Sequence, residues 1–340
     1  MFLFREFLKL FVFSKKIRVG FVLCVFPSPY YGRIMASARL RAYDVINNFN
    51  NDENYFLELY KPWKKYDIVI FQKKFDNEAL KLAKKLKLKG TKVVLDINVN
   101  YYDKSALEKT SLCMNKQIIE FTKVADSIIS SSEYLKNYIR KMFPEKKIAY
   151  IPENITDNFF LAKKKIKEKE DNLKLIYVGY AIKAKEILNI RNVLRSLRKT
   201  HNFNIVFICE RNPEISINGI ETEFIKYKQR KIHKQMSEGD IFIAPRNLND
   251  SYNLGHSFTK IGYPMSVGIP IVASKIPSYE KSPALLCENK EEWKNRLEEL
   301  LSNFELRKKI GNLGIEFCKS NYSSKSIKRQ YIDFFEEVNK

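Results

Sequence analysis

Apolar and polar positions along this chain alternate in blocks, not residue by residue. From residue 17 onward, short β-branched apolar runs are separated by stretches of helical periodicity. In the first half the runs are Ile17–Phe26, Tyr66–Gln72, Lys92–Ile97, Ser127–Ser130 and Lys147–Ile151, and the helical stretches are Ala38–Phe49, Asp76–Leu88, Ala106–Val124 and Ser132–Met142. Residues 161–172 are nearly all charged and predict a linker. A second alternation follows. Its strands are predicted at Leu173–Val178, Phe203–Cys209, Asp240–Ala244, Ile269–Ala273 and Ala284–Cys287. Helices are predicted at Ala184–Lys199, Lys231–Ser237, Ser257–Val267, Lys290–Asn303, Glu305–Ser320 and Ser324–Val338. Continuously apolar strands between helices require a parallel sheet covered on both faces. The expectation is an α/β chain of two doubly wound, Rossmann-like domains, residues 17–160 and 173–322, facing a cleft. Residues 1–16 precede them, and a last helix in 323–340 is placed to cross back to the first domain.

Ligands of such sheets bind at the carboxyl ends of the strands, so the residues just beyond those ends carry the candidate chemistry. After the first strand come Gly32, Arg33 and Arg39, suited to an anionic group; Arg39 and Arg41 point apart on a helix, so one reaches the cleft and the other is structural. Lys73 follows the second strand. Asp96 is the one carboxylate of the third strand and reads as a strand-end cap or as a catalytic or sugar-binding group. In the second half, Gly179 with Lys183 and Lys185 opens a helix, a place where phosphate is held. The richest stretch is Asn253–Tyr279. Asn253 and His256 lie in a polar loop, and His256 is a candidate acid or base. Ser257 is placed as the N-cap of the next helix, with Thr259 and Lys260 in its first turn. Free N–H groups, two hydroxyls and an ammonium then converge where a diphosphate would sit. Gly268 ends that helix before the strand Ile269–Ala273.

Totals adjust this picture only slightly. The net charge is +22, from 61 Lys plus Arg against 39 Asp plus Glu, so the surface favours anions. The basic residues are spread along the whole chain, with no zinc module and no aromatic RNA platform, which argues against a specific nucleic-acid binder. Five cysteines without a CxxC pair fit a reducing, cytoplasmic compartment, and three dispersed histidines predict no metal site. No apolar run is long enough to span a bilayer. The first sixteen residues, MFLFREFLKLFVFSKK, read either as a basic, Phe-rich helix lying on the anionic inner face of the plasma membrane or as an extra helix packed on the first domain.

Gly268-Ile-Pro-Ile-Val-Ala-Ser274, the preceding Lys260 with Met265, and the segments DIVIFQKK, KVVLDI, ADSIISSSEYLK and ASARLRAY occur in an order that resembles the GT-B glycosyltransferases, in particular the family 4-like enzymes of bacterial surface polysaccharide synthesis. The resemblance covers about residues 17–320. It implies a nucleotide-sugar donor on the second domain, a glycan or lipid-linked acceptor on the first, and transfer in the cleft without a metal or other cofactor. It also implies that Lys260 and its helix start face the donor diphosphate. The chain departs from the family where two glutamates, the second a ribose ligand, are replaced by Gly255 and Tyr263. The family's N-domain histidine has no counterpart. A retaining transfer needs no enzymic base; an inverting one would use Asp96. The alternatives are a GT-B-type nucleotide-sugar epimerase, which acts on the donor alone, a basic nucleic-acid-binding protein, and a transferase-like scaffold without activity.

Overall fold

The structure is a computed structural model that describes residues 16–24, 36–103, 112–162 and 172–340. Gly32, Arg33, residues 1–15 and most of the charged linker lie outside the described residues. Two parallel six-stranded sheets form the frame. The first contains β1 (Ile17–Leu23), β2 (Tyr55–Leu59), β3 (Ile68–Gln72), β4 (Lys92–Ile97), β5 (Ser127–Ser130) and β6 (Lys147–Tyr150), in the order β2-β1-β3-β4-β5-β6. The second contains β7 (Leu173–Val178), β8 (Phe203–Cys209), β9 (Thr222–Lys226), β10 (Ile241–Ala244), β11 (Ile271–Ser274) and β12 (Leu285–Cys287), in the order β12-β11-β10-β7-β8-β9.

Central strands such as β3, β5, β8 and β10 are buried at every position, which is why they read as unbroken apolar runs. The sequence reading did not find β2 or β9. Both are edge strands with mixed burial, so neither needs a continuous apolar run. The helix expected at Ala38–Phe49 is a run of three pieces, Ala36–Ala38, a π-helical Arg39–Tyr43, and Asp44–Asn48. The π turn inserts an extra residue per turn and changes which side chains face inward. Arg41 is buried as a result, whereas Arg39 stays half-buried, 3.8 Å from Asp44 Oδ2. The last helix, Ser324–Asn339, lies back on the first sheet. Its Ile327, Tyr331, Phe334 and Phe335 share a core with Val19, Phe49 and Ile70.

One polar line crosses this apolar frame. The Arg41 Nε donates to both oxygens of Asp96, at 2.8 and 2.9 Å, and its Nη2 donates to Oδ1 at 2.5 Å. Nη1 donates to the Ile151 carbonyl, 3.1 Å, and lies 3.7 Å from Glu153 Oε1. Burial alone would lower the pKa of Arg41, but Asp96, Tyr331 and Glu153 together hold the value above the ordinary one. A buried charge that loses its partner is far costlier than the net worth of the pair. Replacing Asp96 by Ala is therefore expected to cost about 3–5 kcal/mol of stability. The double variant Arg41→Met with Asp96→Leu should recover most of that loss. Urea unfolding followed by circular dichroism checks both; equal losses in the single and the double variant would refute the account.

Candidate functional site

The second sheet reverses direction between β7 and β10: β8 and β9 extend one way from β7, and β10 lies on its other side. Outside the carboxyl ends of two such strands there is a natural crevice. Gly179 follows β7, Arg246 follows β10 after Pro245, and the helix Thr259–Ser266 begins nearby. The Lys260 ammonium donates to the Val178 carbonyl and sits 3.7 Å from the centre of the Tyr177 ring. A Cβ on Gly179 would stand 2.8 Å from this ammonium and 2.9 Å from the Tyr177 hydroxyl. The missing side chain at Gly179 is therefore what admits Lys260 to the crevice. Burial, and then the charge of Arg246, pulls the Lys260 pKa down to about 7. Glu186 opposes both, and Lys183 adds further positive charge.

Arg246 is anchored from several sides. Its backbone N–H donates to Ser274 Oγ, 2.8 Å, and its Nη1 reaches Asn253 Oδ1 at 3.4 Å. Burial would lower its pKa, but the neighbouring Tyr279, which also hydrogen-bonds it, and Glu186 hold the value above the ordinary one. Two cations thus crowd one strand-end crevice, with Glu186 as a nearby carboxylate. Like charges this close repel, so the arrangement is stabilised by any anion that enters.

The residues expected from sequence divide into three groups. Lys260, Gly179 and Lys183 come together at the crevice; the Lys183 ammonium lies 5.1 Å from the centre of the Tyr252 ring. Lys73, from the first domain, faces the second. Its ammonium is 5.6 Å from the Tyr101 ring, burial lowers its pKa, and Tyr252 and Tyr180 lie within electrostatic reach. His256 is half-buried and packs edge-on against Tyr252 with 5.0 Å between ring centres. The second group is engaged elsewhere. Asp96 is fully buried on Arg41 and is not a free base at the cleft. Asn253, expected in a loop, lies in the short helix Ser251–Leu254 and is spent donating to the Asn247 carbonyl at 3.1 Å and accepting from Arg246. Ser257 is not the N-cap: the helix starts at Thr259, the residue before it is Phe258, and no side chain caps it. Phe258 takes that place because its ring is buried and stacks on Tyr322, 4.2 Å between centres. The Ser257 hydroxyl instead bonds that of Thr259, which donates to Glu153 at 2.8 Å. In the third group, Lys185 is exposed, Arg39 pairs with Asp44, and Gly32 and Arg33 fall outside the described residues.

Sequence reasoning missed Glu153, Glu186 and Tyr177, and passed over Arg246. Glu153 and Arg246 each follow a strand-end proline, Pro152 and Pro245, and that position was the available signal. Tyr263, in the place of the expected ribose glutamate, is a half-buried ring stacked on Phe159 at 4.3 Å, with Arg39 and Asp44 of the first domain close by. Among the described residues no group of three His, Cys, Asp or Glu side chains is placed to hold a metal ion. No described helix is long and apolar enough to cross a membrane.

No protein-family model matches the chain. A curated relative, an uncharacterized glycosyltransferase of Methanocaldococcus jannaschii, is 27% identical over 322 residues, covering 87% of this chain and 81% of that protein. Among solved structures, HepE of Anabaena in complex with UDP and glucose aligns with a TM-score of 0.67 at 12% identity, over 94% of this chain and all of that one. An α-glucosyltransferase in complex with UDP-glucose and DNA containing an abasic site aligns with a TM-score of 0.64 at 15% identity, over 96% of this chain and all of that one. The fold is GT-B, two Rossmann-like domains facing one another.

The lowered pKa of Lys260 makes a thermodynamic prediction. A bound diphosphate favours the charged ammonium, so binding raises this pKa back above 7. Binding of a diphosphate diester such as UDP-glucose, whose phosphates do not titrate in this range, should therefore take up about one proton at pH 8, where the free lysine is largely neutral, and almost none at pH 6, where it is already charged. Calorimetry at each pH in two buffers of different ionisation enthalpy measures the uptake. The same small value at both pH values would refute the coupling.

Proposed function

We propose that this protein, a glycosyltransferase of the GT-B fold, moves a sugar from a nucleotide diphosphate donor held by its second domain to a glycan or lipid-linked acceptor on its first. The observation that carries this reading is the crevice beyond β7 and β10, where the Lys260 ammonium is enclosed beside Arg246 and opposite a glycine. In this reading Lys260 and Arg246 hold the diphosphate, and Lys183 adds charge at the rim. As the glycosidic bond to the donor breaks, negative charge grows on the leaving phosphate. Preorganised cations in a partly dehydrated site stabilise that charge without reorganising at the moment of reaction. The positive end of the helix Thr259–Ser266 contributes in the same direction, and in this reading these groups do the work without a metal ion. Lys73, across from Tyr252 and Tyr180, faces the acceptor side, and His256 borders the same space.

The engagement of Asp96 on Arg41 favours transfer with retention of configuration. The one carboxylate offered as a base is spent, and a donor phosphate oxygen can instead take the acceptor proton on the same face of the sugar. The M. jannaschii relative and the complexes with UDP and UDP-glucose support a nucleotide-sugar donor. A nucleotide-sugar epimerase would use the same crevice; turnover of donor in the absence of acceptor, analysed by NMR, separates the two, and the anomeric signal of any transferred sugar reads the stereochemistry.

The direct test is a panel of UDP-, GDP- and CMP-sugars in thermal melts. At least one is expected to raise Tm, and no shift with any of them would sink the reading. Lys260→Ala should weaken the responding donor by about tenfold to a hundredfold, the loss of one charge-assisted contact. Gly179→Ala should weaken it by a similar factor, because the new methyl displaces the ammonium while the flexible lysine yields without unfolding the strand. Unchanged affinity in both variants would place the diphosphate elsewhere.

A further inference from the structure

Parallel strands are normally joined by a helix that covers the sheet face. Between β2 and β3 the chain uses only the short segment 60–67 for this crossover. It leaves two large rings uncovered on the outer side of the sheet: Trp63 is 79% exposed and Phe56, on the edge strand β2, is 40% exposed. This is not a slack loop. Glu58 receives the Lys61 ammonium at 2.7 Å and the Lys64 ammonium at 2.8 Å. The Tyr66 hydroxyl accepts from the Lys61 N–H and donates to Glu58, both at 3.1 Å. The Lys64 N–H closes the turn on the Lys61 carbonyl at 3.0 Å. The turn is therefore fixed, and it presents an indole at its tip. Around that tip stand Lys61, Lys64 and the exposed Lys65, with Arg18 and Lys64 each within 6 Å of the Phe56 ring centre.

We propose that this face, with Trp63 as its anchor, docks on the anionic surface of a lipid bilayer. An indole on a rigid turn sits well at the headgroup level, where its apolar body is buried and its N–H stays wet. The flanking lysines extend to lipid phosphates while their stems lie along apolar surface. Glu58 offsets part of that charge, and Lys61, Lys64, Lys65 and Arg18 leave a positive remainder. The chain's net charge of +22 opposes pairing of this face with a second copy. The proposal does not depend on the glycosyl-transfer reading, since its readouts are membrane binding and Trp63 emission.

The chain has two tryptophans, and the other, Trp293, is buried, so a change in emission on adding vesicles reports Trp63. The intact protein is titrated with vesicles of phosphatidylcholine and phosphatidylglycerol at seven to three, a ratio of about 2:1 neutral to anionic lipid, and with vesicles of phosphatidylcholine alone. The expected result is a blue shift and co-sedimentation with the anionic vesicles only, reduced about tenfold by Trp63→Ser. Leu88→Ser, at an exposed leucine on another element, is expected to bind as the unaltered protein does. Binding by Trp63→Ser equal to that of the unaltered protein overturns the proposal, as does vesicle capture without a shift. A red shift without vesicles on deleting residues 1–15 also overturns it, because that stretch of the same chain would then be what covers the face.

Discussion

The buried guanidinium of Arg41 is the constraint on which the two halves of this protein turn. It cannot remain charged inside the first domain without a partner, and Asp96 at the end of β4 supplies one with two-point geometry. Its remaining hydrogen-bonding reach goes to Ile151 and Glu153, the segment in which the chain leaves the first sheet for the second. Glu153 then receives the Thr259 hydroxyl at the first turn of the helix that also carries Lys260. A single polar line thus runs from the centre of one sheet to the start of the helix bordering the other sheet's crevice. In a low-dielectric interior such a line is directional, because each member has few alternative partners. It fixes the register of the helix relative to the first domain more sharply than the apolar contacts around it.

The seam between the domains carries further contacts of this kind. The Ser132 hydroxyl donates to the Gly255 carbonyl at 3.0 Å, and the Ile155 N–H donates to the Tyr322 carbonyl at 2.7 Å. The final helix, returning to the first sheet, ties the second domain's end to the first domain's core. These contacts hold the His256–Lys260 segment against the first domain from both sides. At the crevice, Lys260 donates to the Val178 carbonyl and lies against the rings of Tyr177 and Phe242, Arg246 bonds Asn253 and Tyr279, and both cations lie within electrostatic reach of Glu186. Neighbouring cations at a strand-end crevice repel, and an anionic ligand that enters relieves that repulsion.

The sequence shows the alternation of the two sheets because buried central strands and amphipathic helices have distinct periods. It does not show β2 and β9, whose edge positions relax that pattern, or the π turn at Arg39–Tyr43, which depends on tertiary packing of Arg41. That Lys260 and Gly179 stand at strand and helix ends was legible because each is beside a glycine-terminated strand or helix. The two readings of Asp96 could not be separated in sequence for a physical reason: its partner lies 55 positions away, and a buried carboxylate looks the same in sequence whether it serves a substrate or an arginine. Ser257 was misread as a cap because capping residues are recognised by type, and the stacking of Phe258 on Tyr322 that displaces it arises only from the returning chain.

Tyr263 shows what such a departure costs and what it supplies. A carboxylate at this position would have to be buried beside Asp44 and Glu153, both within electrostatic reach of the Tyr263 hydroxyl. Two neighbouring carboxylates at a dry seam would raise the pKa of any third, and it would lose its charge before it could hold a ribose. The tyrosine avoids that conflict. Its ring fills the seam against Phe159, and its hydroxyl faces Arg39. Domain contact thus occupies the position at which the family resemblance implied a ribose-binding glutamate. Glu186 lies in the first turn of the 3-10 helix Lys185–Ile190 after β7, beside the crevice cations, and Glu210 directly follows β8 and accepts from the Ala181 N–H at 3.0 Å.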